Sequence, residues 1–396
     1  MKYIPGPYNQ AQLKQKIDAI ETSLTNRYLT SGAITDATEQ RTWRERVEDA
    51  SFGRNTVLFD DIGYPSVMVA FPAFKESDVL TGGKAYPHPA FIVDGNIKPV
   101  LYISKYQNIV AGSGASARAL SLKGVDPATY VNYDNALLYC KQKGAGWHLA
   151  SNAEWAAIAL LCESRGFVPR GNNSYGADHS VTSEKGVPSY MYSGNTIGRV
   201  LTGSGPLGWT SDGSPFGIYD LNGNVWEWCS GLRLKNGEIQ IIPYGNAMKL
   251  DCNMNDTSTE WKAILQDGTI VDPGTANTLK WDYTAAPAAS TANIQLNTTL
   301  AYPQPDETAY GYKEFQTLTA KAGVTVPMLL KALGLFPSDA DGYEGDRFYF
   351  KNIGERLPIR GGCWSDGANA GVFVLHLYSI RSYVHTSIGF RSAFVK

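Results

Sequence analysis

The sequence predicts an α+β fold, and three observations lead there. Short apolar and β-branched runs separated by Gly, Pro and Asp crowd residues 56–110, the pattern of strands and turns. Two capped helices then follow as a block, around residues 133–143 and 151–166. A separate helical segment precedes both, so helices and strands are grouped along the chain, not alternated.

Taken in order, residues 1–55 read as an N-terminal helical adaptor. Leu13, Ile17, Ile20 and Leu24 repeat at the 4-3-4 spacing of a coiled-coil seam over residues 9–25, and a second helix is expected over 37–49. The seam either packs on its own domain or provides a homo-oligomer contact, since two heptads are too few to decide. The main domain spans 56–396. Its first strands are expected at 57–59, 66–70, 90–93 and 99–104. The glycines of Gly112-Ser-Gly114-Ala-Ser-Ala117 mimic a dinucleotide fingerprint but are not followed by a helix, so a tight turn explains them.

The helix that follows Asp126-Pro127 spans about Tyr133 to Lys143, presents Ala136, Leu137 and Cys140 on one face and stops at Gly144. The next begins at Ser151-Asn-Ala-Glu154, a capping box, carries Trp155, Ile158, Ala159 and Cys162, and stops at Gly166. Residues 168–205 are expected as long surface loops, and Asn222-Gly223 as a hairpin turn ahead of a strand holding Val225, Trp226 and Trp228. Asp220, Asn222 and Asn224 imitate the start of an EF-hand loop, but Val225 and Gly231 occupy its obligatory glycine and glutamate positions. Residues 233–350 read as an insertion, with a loop over 282–304 and a helical hairpin over 312–335.

Composition excludes several functions. With 35 Lys and Arg against 37 Asp and Glu, the net charge is -2, so no footprint for nucleic acid or an anionic membrane is present. No run of about 18 apolar residues predicts a membrane span. The first residues lack the apolar core of a secretory signal, so the chain is expected in the cytoplasm before assembly or in a virion. Five scattered cysteines form no C-x-x-C pair; one disulfide is allowed and none is required. The sequence contains no Gly-x-Ser-x-Gly elbow, no H-E-x-x-H and no Walker loop, and its five histidines follow no carboxylate or cysteine pattern. The chain is therefore not expected to be an enzyme.

The C-terminal region, 360–396, mixes two kinds of residue. Arg360, Gly361, Gly362, Trp364, Gly371, Phe373, Gly389, Phe390 and Arg391 read as scaffold. Cys363, Ser365, Asp366, Val374, His376, Tyr378, Ser379, Ile380, Tyr383, Val384, His385 and Ser387 follow no hydrophobic period and are rich in types that make contact surfaces. They are the candidate ligand-binding residues.

Ser104-Lys105-Tyr106, Gly146-Trp147-His148-Leu149, Asn152-Ala-Glu154-Trp155, Tyr219-Asp220-Leu-Asn-Gly-Asn-Val-Trp-Glu-Trp228, Arg360-Gly-Gly-Cys-Trp364 and Gly389-Phe390-Arg391 resemble the C-type-lectin fold of the formylglycine-generating-enzyme (sulfatase-modifying factor) type. The resemblance runs discontinuously through about 60–230 and again through 355–396. That family's enzymes use a pair of cysteines just beyond the Gly-Gly in a copper-dependent oxidation. Here Asp366 and Gly371 fall near those places and Cys363 is the stretch's one cysteine, so the oxidase chemistry is not expected. Family members can hold calcium near the segment containing Asn224, which leaves a structural calcium open and no other cofactor implied.

A narrower resemblance covers Arg360-Gly-Gly-x-Trp364, Gly367-x-Asn-Ala-Gly371-Val-Phe373, Arg381-Ser382 and Ile388-Gly-Phe-Arg391. These are similar to the variable region of proteins diversified by retroelements, in which template adenines are randomised during reverse transcription. Randomised Asn codons keep a pyrimidine third base and cannot encode Lys, Glu, Gln, Met or Trp. Residues 361–395 contain no Lys, Glu, Gln or Met, and their one Trp is the scaffold Trp364. The resemblance implies a non-catalytic receptor-binding protein, such as a phage tail protein recognising a protein or glycan on a host cell. An oxidase of the sulfatase-modifying type and a structural decoration of a virion are the alternatives.

Overall fold

Helix α1 (Gln10–Ser31) begins where Asn9 and Gln12 satisfy each other's backbone amides, both at 2.9 Å, a capping box the sequence reading had not named. It continues six residues beyond the predicted end and closes at Gly32. The computed structural model describes residues 9–338, 342–343 and 345–396; residues 1–8 of the adaptor and residues 339–341 and 344 of the insertion lie outside the described residues. Helix α2 (Ala37–Ser51) is capped by Asp36, and a bidentate Arg27–Glu39 contact at 2.8 and 2.9 Å ties it to α1.

The seam on α1 is spent inside the chain. Ile17 and Leu24 are fully buried and Leu13 and Ile20 pack beside them against Val47, Val57, Val67 and Tyr106. Glu21, on the same face, is fully buried and receives Lys105 Nζ at 2.8 Å. Of the two courses open to the seam, it takes packing on its own domain, and pairing these side chains with a second copy would uncover an ion pair that burial has already desolvated. Residues 13–24 of this segment thus pack into the same cluster as Val57, Val67 and Tyr106 of the main domain.

Five antiparallel strands make the first sheet, in the order Asn55–Phe59, Pro65–Pro72, Val100–Ser104, Ser392–Phe394, Trp147–Leu149. Three lie within two residues of their predicted bounds, whereas 90–93 forms a 3-10 turn and a two-residue strand. The C-terminal strand is thus an interior member of the N-terminal sheet, with Ala393 opposite both Ile103 and His148. Helices α3 (Tyr133–Lys141) and α4 (Asn152–Ser164) match expectation. The Ser151–Glu154 capping box is present, and Glu154 also faces His148 Nε2 at 3.0 Å. That contact places one histidine beside a carboxylate, which the sequence spacing had not indicated.

A second sheet of twelve strands carries the candidate site. Its main path runs Ile270–Val271, Lys262–Ile264, Glu238–Ile241, Leu232–Lys235, Glu355–Gly361, Gly371–Ser379, Arg347–Phe350, Gly311–Glu314. Trp226–Trp228 joins it beside Glu355–Gly361 and pairs in parallel with Ile388–Phe390. Most of these strands come from residues 233–350, so the segment read as an insertion supplies strands to the sheet itself. Within it, Lys280–Tyr283 and Ile294–Asn297 form an antiparallel ladder where a loop was expected, because Trp281, Tyr283, Ile294 and Leu296 alternate into the core. The expected helical hairpin over 312–335 is a strand, a 3-10 turn and one short helix, α5 (Met328–Ala332); Gly323 and Pro327 break the helical pattern. Asn222-Gly223 makes no hairpin either: Gly223 instead bridges Asn172. The 168–205 stretch does run mostly as loops, yet Asn172, Asn173 and Asp178 within it are fully buried. No helix among the described residues is long and apolar enough to cross a membrane.

Candidate binding face

Two buried arginines fix the backbone of the C-terminal region. Arg360, 1% exposed, donates to Asn152 Oδ1 at 2.6 and 3.1 Å and to the Gly334 carbonyl at 3.0 Å. Arg391, equally buried, meets both carboxylate oxygens of Glu227 at 2.5 Å and donates to the carbonyls of Ser104 and Tyr219. Each guanidinium is charged and buried, and each finds enough acceptors to be held rigidly. Trp364 and Phe390 are buried too, in the cluster that includes Trp226, Trp228, Ile359 and Ile388. At Gly371 a side chain is excluded, since an added Cβ would fall 1.7 Å from Asp346 Oδ1. That carboxylate accepts the Phe373 N–H at 2.6 Å. Gly362, at φ +86°, holds a turn in the left-handed region.

The twelve candidate residues do not share one exposed face. Ser365, Ile380, Tyr383, Val384 and His385 are exposed, and Asp366 and Tyr378 are half-buried. Cys363, Val374, His376, Ser379 and Ser387 are buried. The expectation of twelve freely variable surface positions is corrected in this respect. Val374, His376 and Tyr378 alternate along one face of the Gly371–Ser379 strand; that face is covered at Val374 and opens at Tyr378.

Ser365 lies ahead of Gly371–Ser379, and the other exposed positions, Ile380, Tyr383, Val384 and His385, sit on the loop between Gly371–Ser379 and Ile388–Phe390, which is pinned at both ends. Arg381 donates to Glu355 at 2.9 and 3.0 Å and to Asp134 at 2.7 Å. Arg199 donates to the Thr386 carbonyl at 2.9 Å and is paired with Asp126. Tyr130 N–H reaches the His385 carbonyl, and His385 Nδ1 lies 2.7 Å from Ser387 Oγ. Between these anchors, Tyr383 and His385 stand with rings nearly parallel at 6.3 Å. A shallow depression of about 360 Å³ beside them is lined by Ile380, Arg381, Ser382, Asn132, Asp134 and Glu355. The larger cavity, about 1040 Å³ between α1, α2 and α4, contains none of the twelve.

Sequence reasoning missed the aromatic residues that the 233–350 segment and the 168–205 loops bring to this face. Arg347–Phe350 runs parallel to the candidate strand and sets Tyr349 opposite His376. Tyr310 lies tilted against Tyr378 at 5.6 Å, and His376 lies 3.7 Å from the Tyr378 ring, 5.5 Å from Tyr349 and 5.3 Å from Trp226. Tyr190 and Tyr192 flank Trp364 at 6.0 and 6.4 Å. The only signal in the sequence was the density of tyrosines in these two segments.

Neither thiol chemistry nor calcium fits the residues present. All five cysteines are free and buried. Burial pushes the thiols of Cys162, Cys252 and Cys363 up to about 12 and those of Cys140 and Cys229 higher still, which holds each protonated at neutral pH. Asn224 Oδ1 already accepts N–H groups from Asn172 and Val200, and its amide donates to Gln107 Oε1. With its oxygen engaged, Asn224 does not fit a calcium shell, and no group of three or more His, Cys, Asp or Glu that could hold a metal ion occurs among the described residues.

The lectin-type arrangement is matched in known proteins. Residues 75–263 match the sulfatase-modifying factor enzyme 1-like domain. This match places the chain's fold with the mixed helix-and-sheet, C-type-lectin-like class that the motifs implied. The matched domain ends before the C-terminal region begins. Among solved structures, the chain is similar to Treponema denticola variable protein 1, with 12% identity over 86% of this chain and 99% of that one, at a TM-score of 0.32. PvdO from Pseudomonas aeruginosa is similar at 16% identity, 86% and 98% coverage and a TM-score of 0.31. The Major Tropism Determinant P3c variant is similar at 11% identity, covering 83% of this chain and 63% of that one, with a TM-score of 0.27. The comparison with curated proteins returned no match.

Proposed function

We propose that the chain is a non-catalytic receptor-binding protein of a phage tail, whose region 360–396 is diversified by a retroelement to recognise a protein or glycan on a host cell. One observation carries this reading: an exposed, chemically mixed loop, Ile380 to His385, is held at both ends on a backbone fixed by buried Arg360, Arg391, Trp364 and Phe390. Such a construction lets side chains change while the fold stays put. Tyr383 and His385 supply the rigid rings and adaptable hydrogen bonds that contact surfaces use. The codon-restricted composition of 361–395 supports the same reading, and the protonated, buried thiols speak against an oxidase.

Sequencing the DNA beside the gene tests the diversification. A reverse transcriptase gene and a near-copy of the codons for 361–391 differing at adenines are expected; their absence from an intact locus overturns it. Binding is tested by adsorption of the purified chain to host cells. Replacing Ile380, Tyr383 and His385 together by Ala is expected to abolish adsorption, and retention of wild-type adsorption would assign the face a purely structural part in the particle.

A further inference from the structure

The cavity between α1, α2 and α4 shares no residue with the candidate face. It encloses about 1040 Å³, at the upper end of the roughly 300–1,000 Å³ of small-molecule sites. Its apolar walls include Phe71, Ile158, Leu161, Phe216 and Ile218. All but the half-buried Leu161 are buried core residues, so these walls are fixed. Two features of its mouth do not serve packing. Phe52, which closes α2, lies in the left-handed region at φ +56° and is 49% exposed. That backbone is strained for a bulky side chain, and strain of this kind collects at functional sites. The Phe52 ring nevertheless meets Phe216 edge-on at 6.1 Å, and the Arg54 guanidinium covers Phe216 at 5.3 Å. The second feature is Arg165, the exposed residue that ends α4. Among the described residues its guanidinium makes no hydrogen bond or ion pair. The charges lining the cavity are Lys16, Arg54 and Arg165 against Asp49 and Asp212, and Arg54 is paired with Asp212. Their sum is positive.

We propose that this cavity binds a free amphiphile with one flexible apolar chain and one anionic head, the chemistry of a medium-chain carboxylate. The site is a second one, beyond the receptor-binding face and independent of it. The chain lies against Phe71, Ile158 and Phe216, where each methylene taken out of water raises affinity about fourfold. Phe52 is held half out of the core to wall the entrance. The head pairs with Arg165, the guanidinium that the chain itself leaves without a counter-ion. A neutral head would leave Arg165 as it is, and a cationic head would meet it as a like charge.

Calorimetric titration of the full chain with octanoate, decanoate and dodecanoate, each below its micelle concentration, tests the site. Decanol and decyltrimethylammonium serve as head-group controls. One saturable site is expected, with affinity rising about tenfold for every two methylenes. Both controls should bind about fivefold more weakly than decanoate, or worse. Leu161→Trp and, from the Pro65–Pro72 strand, Ala70→Phe each narrow the cavity, and a variant whose melting curve shows it folded should lose binding. Arg165→Gln at the exposed end of α4 should bring decanoate down to the level of decanol and leave decanol unchanged. Phe52→Gly should weaken all three carboxylates. No saturable binding, an affinity indifferent to chain length, or wild-type binding in the folded filled variants overturns the proposal. So does an equal effect of Arg165→Gln on decanoate and decanol. Phosphatidylglycerol vesicles separate the free amphiphile from a membrane: co-sedimentation with vesicles by a chain that binds no carboxylate in solution overturns it as well.

Discussion

Arg391 and Glu227 are each 1% exposed and bound to each other through both carboxylate oxygens. Replacing Arg391 by Met would strand a buried carboxylate and is expected to cost about 3–5 kcal/mol, measured by chemical denaturation; a loss below about 1 kcal/mol would mean water reaches Glu227. The candidate positions divide by the same logic. Val374 is fully buried, so Val374→Ala should cost about 1–3 kcal/mol. Tyr383→Ala at an exposed loop position should stay within about 0.5 kcal/mol of wild type while reducing target binding. Equal stability losses at both positions would contradict the division. That division was not legible in the sequence. Val374 and Val384 are the same residue type in the same region, and only the pairing of Gly371–Ser379 between two strands puts the first inside.

At the scale of elements, capping chemistry and glycines were the most legible features. Ser151 and Glu154 marked the start of α4 because their hydrogen bonds span only three residues. Ser151→Ala is expected to cost about 1 kcal/mol, and more if the loss also frees Glu154 from its place beside His148. Long-range pairings left no such mark. Lys105 in the Ser-Lys-Tyr motif gave no hint that Glu21, 84 positions earlier, is its buried partner. Removal of residues 10–31 should therefore leave the remainder prone to rapid proteolysis across 55–72 and not release an intact lectin-type domain. The ladders of 233–350 were hidden because their strands are only two to four residues long, too short to show a period, and some pair across a long gap, as Gly311–Glu314 does with Arg347–Phe350.

For the whole molecule, acid sensitivity should exceed what carboxylates alone would impose. Burial pushes His88 from 6.5 down to about 4; its Nε2 lies 2.7 Å from the Ala332 carbonyl at the end of α5, and its Nδ1 accepts the Ala90 N–H. Between pH 6.5 and about 4 the unfolded chain binds a proton there that the folded chain refuses. Stability from this group thus falls as pH falls, at up to about 1.4 kcal/mol per pH unit. His88→Gln can still donate to Ala332, and denaturation midpoints measured from pH 7 to 4 should decline less steeply in the variant. Identical slopes would show that His88 is protonated in the folded state. Asp220, pushed up to about 6 by burial, acts in the opposite direction in the folded chain, which is why the comparison is made against the single variant.

The strand Gly371–Ser379 is flanked on both sides, by Glu355–Gly361 and by Arg347–Phe350. Randomised Asn codons admit proline alongside the other small and aromatic types, yet a proline in an interior strand removes a ladder hydrogen bond and is tolerated essentially only at edges or bulges. Under the diversification proposed above, natural variants of this chain should therefore draw a narrower alphabet at positions 374, 376 and 378 than in the loop from 380 to 385. Proline should be missing from the strand positions even where the template can write it.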